Sequence, residues 1–179
     1  LVPIALGAMI AASAPRPDLL VTGDGRNVAI VERDGTPLLL RERSGDYVRS
    51  LLSEASGFDG EGGSIASAPF GSCSRDACIA DIERDGRRWR LLAMRSRDIL
   101  GWKALVAACA DADIVIADRR LPAACAPRWL KLDRIKLERT GGLALHLGAS
   151  PRVDSVAQWV GAHPWGTFGE RPPRLSSGG

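Results

Sequence analysis

The stretch "PDLLVTGDGRNVAIVERDG", residues 17–35, predicts how the fold begins. Residues 18–22 form a short apolar run typical of a strand, and residues 27–32 alternate well enough to form the next strand. Gly and Asp fill the loop at 22–25 and a hairpin turn at 33–35, after which "TPLLLRER" predicts a third strand. The question is whether the loop at 22–25 belongs to a working active site or is only structural.

The next segments alternate a helix with a hairpin. After Ser44, which can cap a helix, "GDYVRSLLSEASG" predicts a helix that stops at Gly57. Its apolar side chains share one predicted face: Tyr47, Val48, Leu51, Leu52 and Ala55. The Gly/Ser/Ala-rich residues 58–70 predict a loop, and "CIADIERDGRRWRLLAMRS" predicts a second hairpin that turns at Asp85-Gly86.

The second half of the chain predicts further strands and helices. Residues 102–110 predict a short helix, and "ADIVIAD" is a continuous apolar run that indicates a strand covered on both faces. "APRWLKLDRIKLERTGGLALHLG" predicts two strands around a turn at 140–142, and "DSVAQWVGAHPW" predicts a weak last helix. Hairpins that alternate with helices favour an α/β fold built as a layered sandwich.

Length and composition suit one soluble domain with end segments. The chain has 179 residues, of which 45% are apolar and 25% charged, and its net charge of +3 does not by itself indicate a nucleic-acid partner. Residues 1–14 are uncharged but too few to cross a bilayer, which takes roughly 20 residues. Ala12-Ser13-Ala14 imitates a signal-peptide cleavage site, although the basic region of a signal peptide is missing. We favour the end of a transmembrane helix at 1–14, a soluble domain at 15–165 and a disordered tail at 166–179.

Four cysteines favour an exported domain with two disulfides: Cys73, Cys78, Cys109 and Cys125. Free buried thiols and a zinc site are the alternatives, but the spacings C-x4-C and C-x15-C differ from the C-x2-C pairs of zinc ribbons, and no histidine is near. Four cysteines allow three pairings, of which we favour Cys73–Cys78 with Cys109–Cys125.

No catalytic constellation is visible in the sequence. The chain has only two histidines, His146 and His163, and contains no H-x-H-x-D-H, G-x-S-x-G, Walker or G-x-G-x-x-G motif. His146 lies in an apolar strand, where a structural role is favoured, and Asp133 suits a turn or a hydrogen-bonding role better than metal ligation. Asp118 ends the "ADIVIAD" strand, a place where α/β folds put sites, yet an Asp–Arg surface pair explains it as well.

The order of these pieces resembles a known family. The strings that carry the resemblance are "PDLLVTGDGRNVAI", "CSRDACIADI", "RRWRLLAMRSRD" and "ACADADIVIADRRLPAACAPRWLKLDRIKLERTGGLALHL". Together they cover most of residues 15–148, and they resemble the C-terminal region of ComEC-type competence proteins, the inner-membrane DNA-uptake channels, in their alphaproteobacterial form. The apolar residues 1–14 then look like the end of the last transmembrane helix of that family.

The resemblance implies a metallo-β-lactamase-like fold that opens with a strand and a D-V-G-Q-G-D loop and later carries H-x-H-x-D-H. By position, residues 18–24 match the opening, with Asp24 at the last Asp of the loop. The glutamine and the first glycine are gone, and "GFDGEGGSIASAPFGS", where metal ligands are expected, has no histidine. Asp59 and Glu61 alone cannot hold two metals. The resemblance therefore implies a degenerate, truncated fold with no catalytic residue, metal or cofactor, and a loop at 22–25 that is structural.

The function implied is that of a non-catalytic domain facing the periplasm at the bacterial inner membrane, which supports transport of transforming DNA. Its implied partners are the membrane-channel part of the same protein, single-stranded or incoming DNA, and other competence proteins. Five basic residues are the candidates for phosphate contact, the alternative being an ordinary solvated face: Arg87, Arg88, Arg90, Arg95 and Arg97. The competing hypothesis is a divergent metal-dependent nuclease that uses Asp24, Asp133 and one histidine.

Overall fold

A computed structural model describes residues 15–41, 43–96 and 101–161. Within these ranges the chain forms two sheets, four α-helices and one short 3-10 turn. The six-stranded sheet runs, in spatial order, β11 (Arg152–Ser155), β10 (Leu143–His146), β1 (Leu19–Val21), β2 (Val28–Val31), β3 (Pro37–Leu39) and β4 (Gly63–Ser64). The five-stranded sheet runs β5 (Gly71–Cys73), β6 (Ala77–Arg84), β7 (Arg87–Met94), β8 (Ile114–Ile116) and β9 (Leu130–Leu132). The helices are α1 (Asp46–Ser56), α2 (Trp102–Asp111), α3 (Arg134–Thr140) and α4 (Val156–Val160), and the 3-10 turn is Ile65–Ser67.

The two sheets pack face to face, and a helix covers the outer face of each. Alternate residues of each strand point inward, so that Leu19 and Ile30 of one sheet share a buried cluster with Trp89 of the other. The residues between them point outward, and Leu20 packs with Leu52 of α1. On the far side, α2 covers the second sheet. Both faces of the central strands are buried, which explains their nearly continuous apolar sequences and confirms the predicted layered α/β architecture.

Helix α1 buries a narrower face than the sequence predicts. Leu52 is 3% exposed, but Tyr47 is 79% and Leu51 44% exposed, and Ala55 is also exposed. The covered stripe has i, i+4 spacing and runs through Val48 and Leu52, because the helix meets the sheet along only one line of side chains. The N-cap is Gly45 rather than Ser44, whose hydroxyl donates instead to Asn27 Oδ1 at 3.0 Å. Gly57 ends α1 at φ +70°, as predicted.

Three other local predictions need correction. The predicted loop at 58–70 contains β4 and the 3-10 turn. The two strands predicted around a turn at 140–142 are β9 and β10, but the seven residues of α3 lie between them and the strands belong to different sheets. Asp133 caps α3 by accepting a hydrogen bond from the Lys136 N–H at 3.2 Å, and a buried Leu137 anchors the helix. The last helix, α4, is only five residues long and follows strand β11.

The cysteines are paired as the sequence analysis favours. Cys73 and Cys78 stand opposite each other on β5 and β6, and their disulfide closes the turn between these strands. Cys109 of α2 is joined to Cys125, and both residues are fully buried. The second disulfide therefore ties α2 to the segment that follows β8.

None of the helices formed by the described residues is long and apolar enough to cross a membrane. The expectations for residues 1–14, Arg97, His163 and the tail at 166–179 concern positions that lie outside the described residues.

Candidate functional site

The carboxyl ends of strands from both sheets meet at one edge of the sandwich. In the first sheet, β1 and β3 flank β2 and are both antiparallel to it, so they point the same way. In the second, β7, β8 and β9 are parallel. The residues that follow these strand ends, among them Arg41, Arg95 and Asp118, line one cleft. Ligand sites of open α/β sheets lie at such edges.

The loop after β1 is a self-contained tight turn. The Thr22 hydroxyl donates to Asp24 Oδ1 at 2.5 Å, and the Arg26 N–H donates to the same oxygen at 3.0 Å. The Gly25 N–H donates to the Thr22 carbonyl at 2.8 Å. Gly25 has φ +68°, and a Cβ there would lie 2.7 Å from Leu137 Cδ1. The loop thus lies close to α3 and places Arg26 at the edge of the sandwich.

A cleft of 360 Å³ opens beside this loop, and we call it the arginine cleft. It is lined by Arg26, Asn27, Arg41, Arg43, Ser44, Gly45, Val48, Arg95 and Asp118. Among these described residues, four side chains are cationic and only Asp118 is anionic. The lining therefore carries a concentrated positive charge in a chain whose overall charge is only +3.

Neutral groups orient two of these arginines. Arg41 Nε donates to the Arg26 carbonyl at 2.9 Å, and Arg95 Nη1 donates to the Ser74 carbonyl at 3.2 Å. A carbonyl fixes the guanidinium without neutralising it, and because each guanidinium has five N–H donors, it can also donate to a ligand. Arg26 lies 3.7 Å from Asp118, with the Arg26 side chain 50% exposed and that of Asp118 8% exposed.

The amino end of α1 also faces this cleft. Its N-cap is Gly45, which lines the cleft and has no side chain with which to cap the first N–H groups of the helix. The start of an α-helix carries a partial positive charge. The helix therefore adds to the preference of the arginine cleft for anions.

A second cleft of opposite character adjoins the first. It measures 390 Å³, and we call it the carboxylate cleft; it is lined by Gly23, Asp24, Arg26, Asp118, Arg134 and Glu138. Arg134 Nε is already bound to Glu138 Oε1 at 2.8 Å. The two clefts share Arg26 and Asp118, so this ion pair forms the wall between them.

The predicted phosphate-contact arginines do not lie together. Arg87, Arg88 and Arg90 stand near the start of β7, whereas Arg95 follows its end, about 20 Å further along at the usual strand rise. The Arg87 guanidinium lies 3.6 Å from the centre of the Trp89 ring, and Arg88 lies 3.6 Å from Glu83. Among Arg87, Arg88, Arg90 and Arg95, the predicted residues that the structure describes, Arg95 is the one that lines the arginine cleft.

Arg90 is committed to two carboxylates. Its Nε donates to Asp81 Oδ1 at 2.9 Å, and Nη1 donates to Asp111. The hydrogen bond from Arg90 holds the pKa of Asp81 below its usual value, and the hydrogen bond to Asp81, with that to Asp111, raises the pKa of Arg90. Arg90 is therefore a structural cation.

The residues that the nuclease hypothesis would use have separate structural roles. Asp133 is 6% exposed, and its two carboxylate oxygens accept the backbone N–H groups of Lys136 and Leu121. His146 lies on β10, with Nε2 3.3 Å from Asp154. Throughout residues 15–41, 43–96 and 101–161, no three His, Cys, Asp or Glu side chains are grouped closely enough to hold a metal ion.

Sequence reasoning missed Arg26, Arg41 and Arg43 as site residues. They form no conspicuous basic run with Arg95, because the fold brings them together from the ends of different strands. The signal that could have found them is position: Arg26 follows the first turn, and Arg41 and Arg43 follow the third apolar strand.

Searches of protein-family models, curated proteins and solved structures found no match to this chain.

Proposed function

We propose that this chain is a non-catalytic DNA-guiding domain of a ComEC-type inner-membrane uptake channel, and that its arginine cleft contacts the phosphates of transforming DNA. The observation that carries the proposal is the lining of the cleft, where four arginines surround a single described carboxylate. The domain faces the periplasm in this proposal, beside the membrane-channel part of the same protein and other competence proteins.

The chemistry of the cleft suits phosphate oxygens. A guanidinium presents paired N–H donors in a plane, which match two oxygens of one phosphate. Arg41 and Arg95 are already oriented by backbone carbonyls, so less side-chain freedom is lost when an anion binds. Contacts to phosphate carry no base information, and binding through this cleft is therefore independent of sequence and weakened by salt.

The architecture supports the same proposal. A layered sandwich is what the sequence resemblance implies, and we propose that it is a degenerate, truncated metallo-β-lactamase-like fold. The loop at 22–25, the counterpart of the opening loop of that family, leads directly into Arg26 of the arginine cleft. In this proposal, the edge of the sandwich that carries the hydrolytic site in other members of that family contacts a DNA strand in this protein.

A binding experiment with matched variants tests the function. The full chain, with its disulfides intact, is titrated into a fluorescently labelled single-stranded oligonucleotide at low salt, and anisotropy is read. We expect Arg43→Gln/Arg95→Gln to weaken binding about tenfold, the loss of roughly 1.4 kcal/mol. The control Arg87→Gln/Arg88→Gln removes the same charge from the hairpin and should change binding less than about twofold.

Two results contradict the proposal. One is the absence of binding by the unaltered chain at low salt. The other is an equal loss in the hairpin control, which would mean that only the total charge matters. Circular dichroism of each variant establishes that the fold is retained before affinities are compared.

A further inference from the structure

The contrast between the two adjoining clefts limits what can occupy the arginine cleft. On one side of the Arg26–Asp118 pair, and apart from the pair itself, the described lining has three arginines and no carboxylate. On the other side it has two carboxylates, Asp24 and Glu138, and one arginine, Arg134, which is bound to Glu138. The sign of the surface charge therefore reverses across a single ion pair.

A continuous phosphate backbone is disfavoured from crossing both clefts. Phosphates that pass the Arg26–Asp118 pair meet Asp24 and Glu138, and like charges brought together across an interface repel each other. A DNA strand that ends in the arginine cleft avoids this repulsion. The charge boundary therefore favours the end of a DNA strand over an internal stretch of its backbone as the ligand.

The positive excess in the cleft also fits a terminal phosphate. A phosphate monoester carries about −1.5 to −2 charges at neutral pH, whereas each internal diester carries about −1. Four arginines and the amino end of α1 converge on a space of 360 Å³, which concentrates positive charge on one small anion. The more highly charged group gains more from this field.

We propose that the arginine cleft binds the terminal phosphomonoester of a DNA strand, with Asp24 and Glu138, beyond the Arg26–Asp118 pair, as the residues that stop the strand from continuing. This inference rests on the proposed function, since it assumes that DNA is the ligand of the cleft. It adds that the domain binds the ends of DNA strands. The domain therefore acts when a DNA strand begins or completes its passage.

The test compares DNA molecules that differ only in their ends. The probes are one oligonucleotide sequence with a 5′-phosphate, with a 3′-phosphate, with neither, and closed into a single-stranded circle. We expect one phosphorylated form to bind about tenfold more tightly than the unphosphorylated and circular forms. Which form binds identifies the end, and inorganic phosphate, added as a competitor, should displace it only at far higher concentration.

Glu138→Gln provides a second, independent readout. Removal of this exposed negative charge beyond the ion pair should raise the affinity for circular DNA and reduce the preference for ends. The control Glu83→Gln, on the distant hairpin, should leave the preference unchanged. A merely structural role of Glu138 would change the affinity for every probe alike.

The outcomes separate this inference from the proposed function. If circular and phosphorylated linear DNA bind equally, and Arg43→Gln/Arg95→Gln weakens both, the cleft binds DNA but the inference about ends is wrong. If inorganic phosphate competes as well as the phosphorylated strand, the ligand is free phosphate and the inference is again wrong. If no probe binds, both proposals fail.

Discussion

Gly25 approaches Ala117 so closely that a Cβ on Gly25 would lie 2.9 Å from the Ala117 carbonyl oxygen. Gly25 belongs to the loop after β1 of one sheet, and Ala117 follows β8 of the other. This contact joins the two sheets at the edge where the arginine cleft opens. Because Gly25 has no side chain, it allows this close contact, and it therefore helps to set the geometry of the site.

Gly25→Ala should destabilise the protein for two reasons. The residue has φ +68°, and its new methyl group would collide with Leu137 and Ala117. Gly86→Ala is the matched control, since Gly86 has φ +75° but open space around it. We expect a loss of about 1 kcal/mol for the control and at least about 2 kcal/mol for Gly25→Ala, measured by urea unfolding. Equal losses would show that the close approach does not constrain the loop.

Trp89→Phe should lower stability because it removes a hydrogen bond and leaves unfilled space in the core. Trp89 is fully buried, its Nε1 donates to the Leu147 carbonyl at 2.8 Å, and its ring lies 4.8 Å from that of Trp129. Phenylalanine leaves the carbonyl without this donor, at a cost of about 1–3 kcal/mol. Trp102→Phe, at a position 61% exposed, should stay within about 0.5 kcal/mol of the unaltered protein. Thermal unfolding of both variants checks the difference.

The two disulfides should contribute unequally to stability. Cys109 and Cys125 are 16 residues apart, whereas Cys73 and Cys78 are 5 apart, and a longer loop restricts the unfolded chain more. Replacement of each pair by alanine should cost about 3 kcal/mol for the first and about 2 kcal/mol for the second. Denaturant unfolding of the two double variants measures the order, and a reversed order would contradict the argument.

The Asp81–Arg90 pair should make stability depend on pH on the acid side. The hydrogen bond from Arg90 lowers the pKa of Asp81 in the folded protein, so the stabilisation is fully present above about pH 4, the unfolded pKa of Asp. It is lost as the pH falls through the lower folded pKa. Asp81→Asn should therefore be less stable by about 1 kcal/mol at neutral pH, with the gap closing below pH 4. A gap that is constant with pH would rule out this linkage.

Local patterns predicted much of the fold. The hairpin of β6 and β7 was predictable because Asp85 and Gly86 both adopt the positive φ that its turn needs, and Asp and Gly tolerate it. The strand β8 was predictable because both its faces are covered. Helix α3 was not, since Ile135 and Leu137 also fit strand alternation, and the cap at Asp133 and the burial of Leu137 become visible only in the structure.

The site was less predictable than the fold. Charge density along the sequence favoured the hairpin arginines, yet Arg90 is neutralised by carboxylates and Arg87 lies over Trp89. The arginines of the cleft come from the ends of separate strands, and their proximity depends on sheet order, which no local pattern states. Of the four predicted contacts that lie among the described residues, Arg95 is the one that lines the arginine cleft.

The central claim is that phosphates bind in the arginine cleft, and salt dependence tests it most directly. The affinity of the full chain for a single-stranded oligonucleotide is measured across a salt series for three proteins: the unaltered chain, Arg43→Gln/Arg95→Gln and Arg87→Gln/Arg88→Gln. Each phosphate contact contributes about −0.7 to the slope of log affinity against log salt. We predict a slope shallower by about 1.4 for the cleft variant and an unchanged slope for the hairpin variant. An unchanged slope for the cleft variant, or an equal change in both, would contradict the claim.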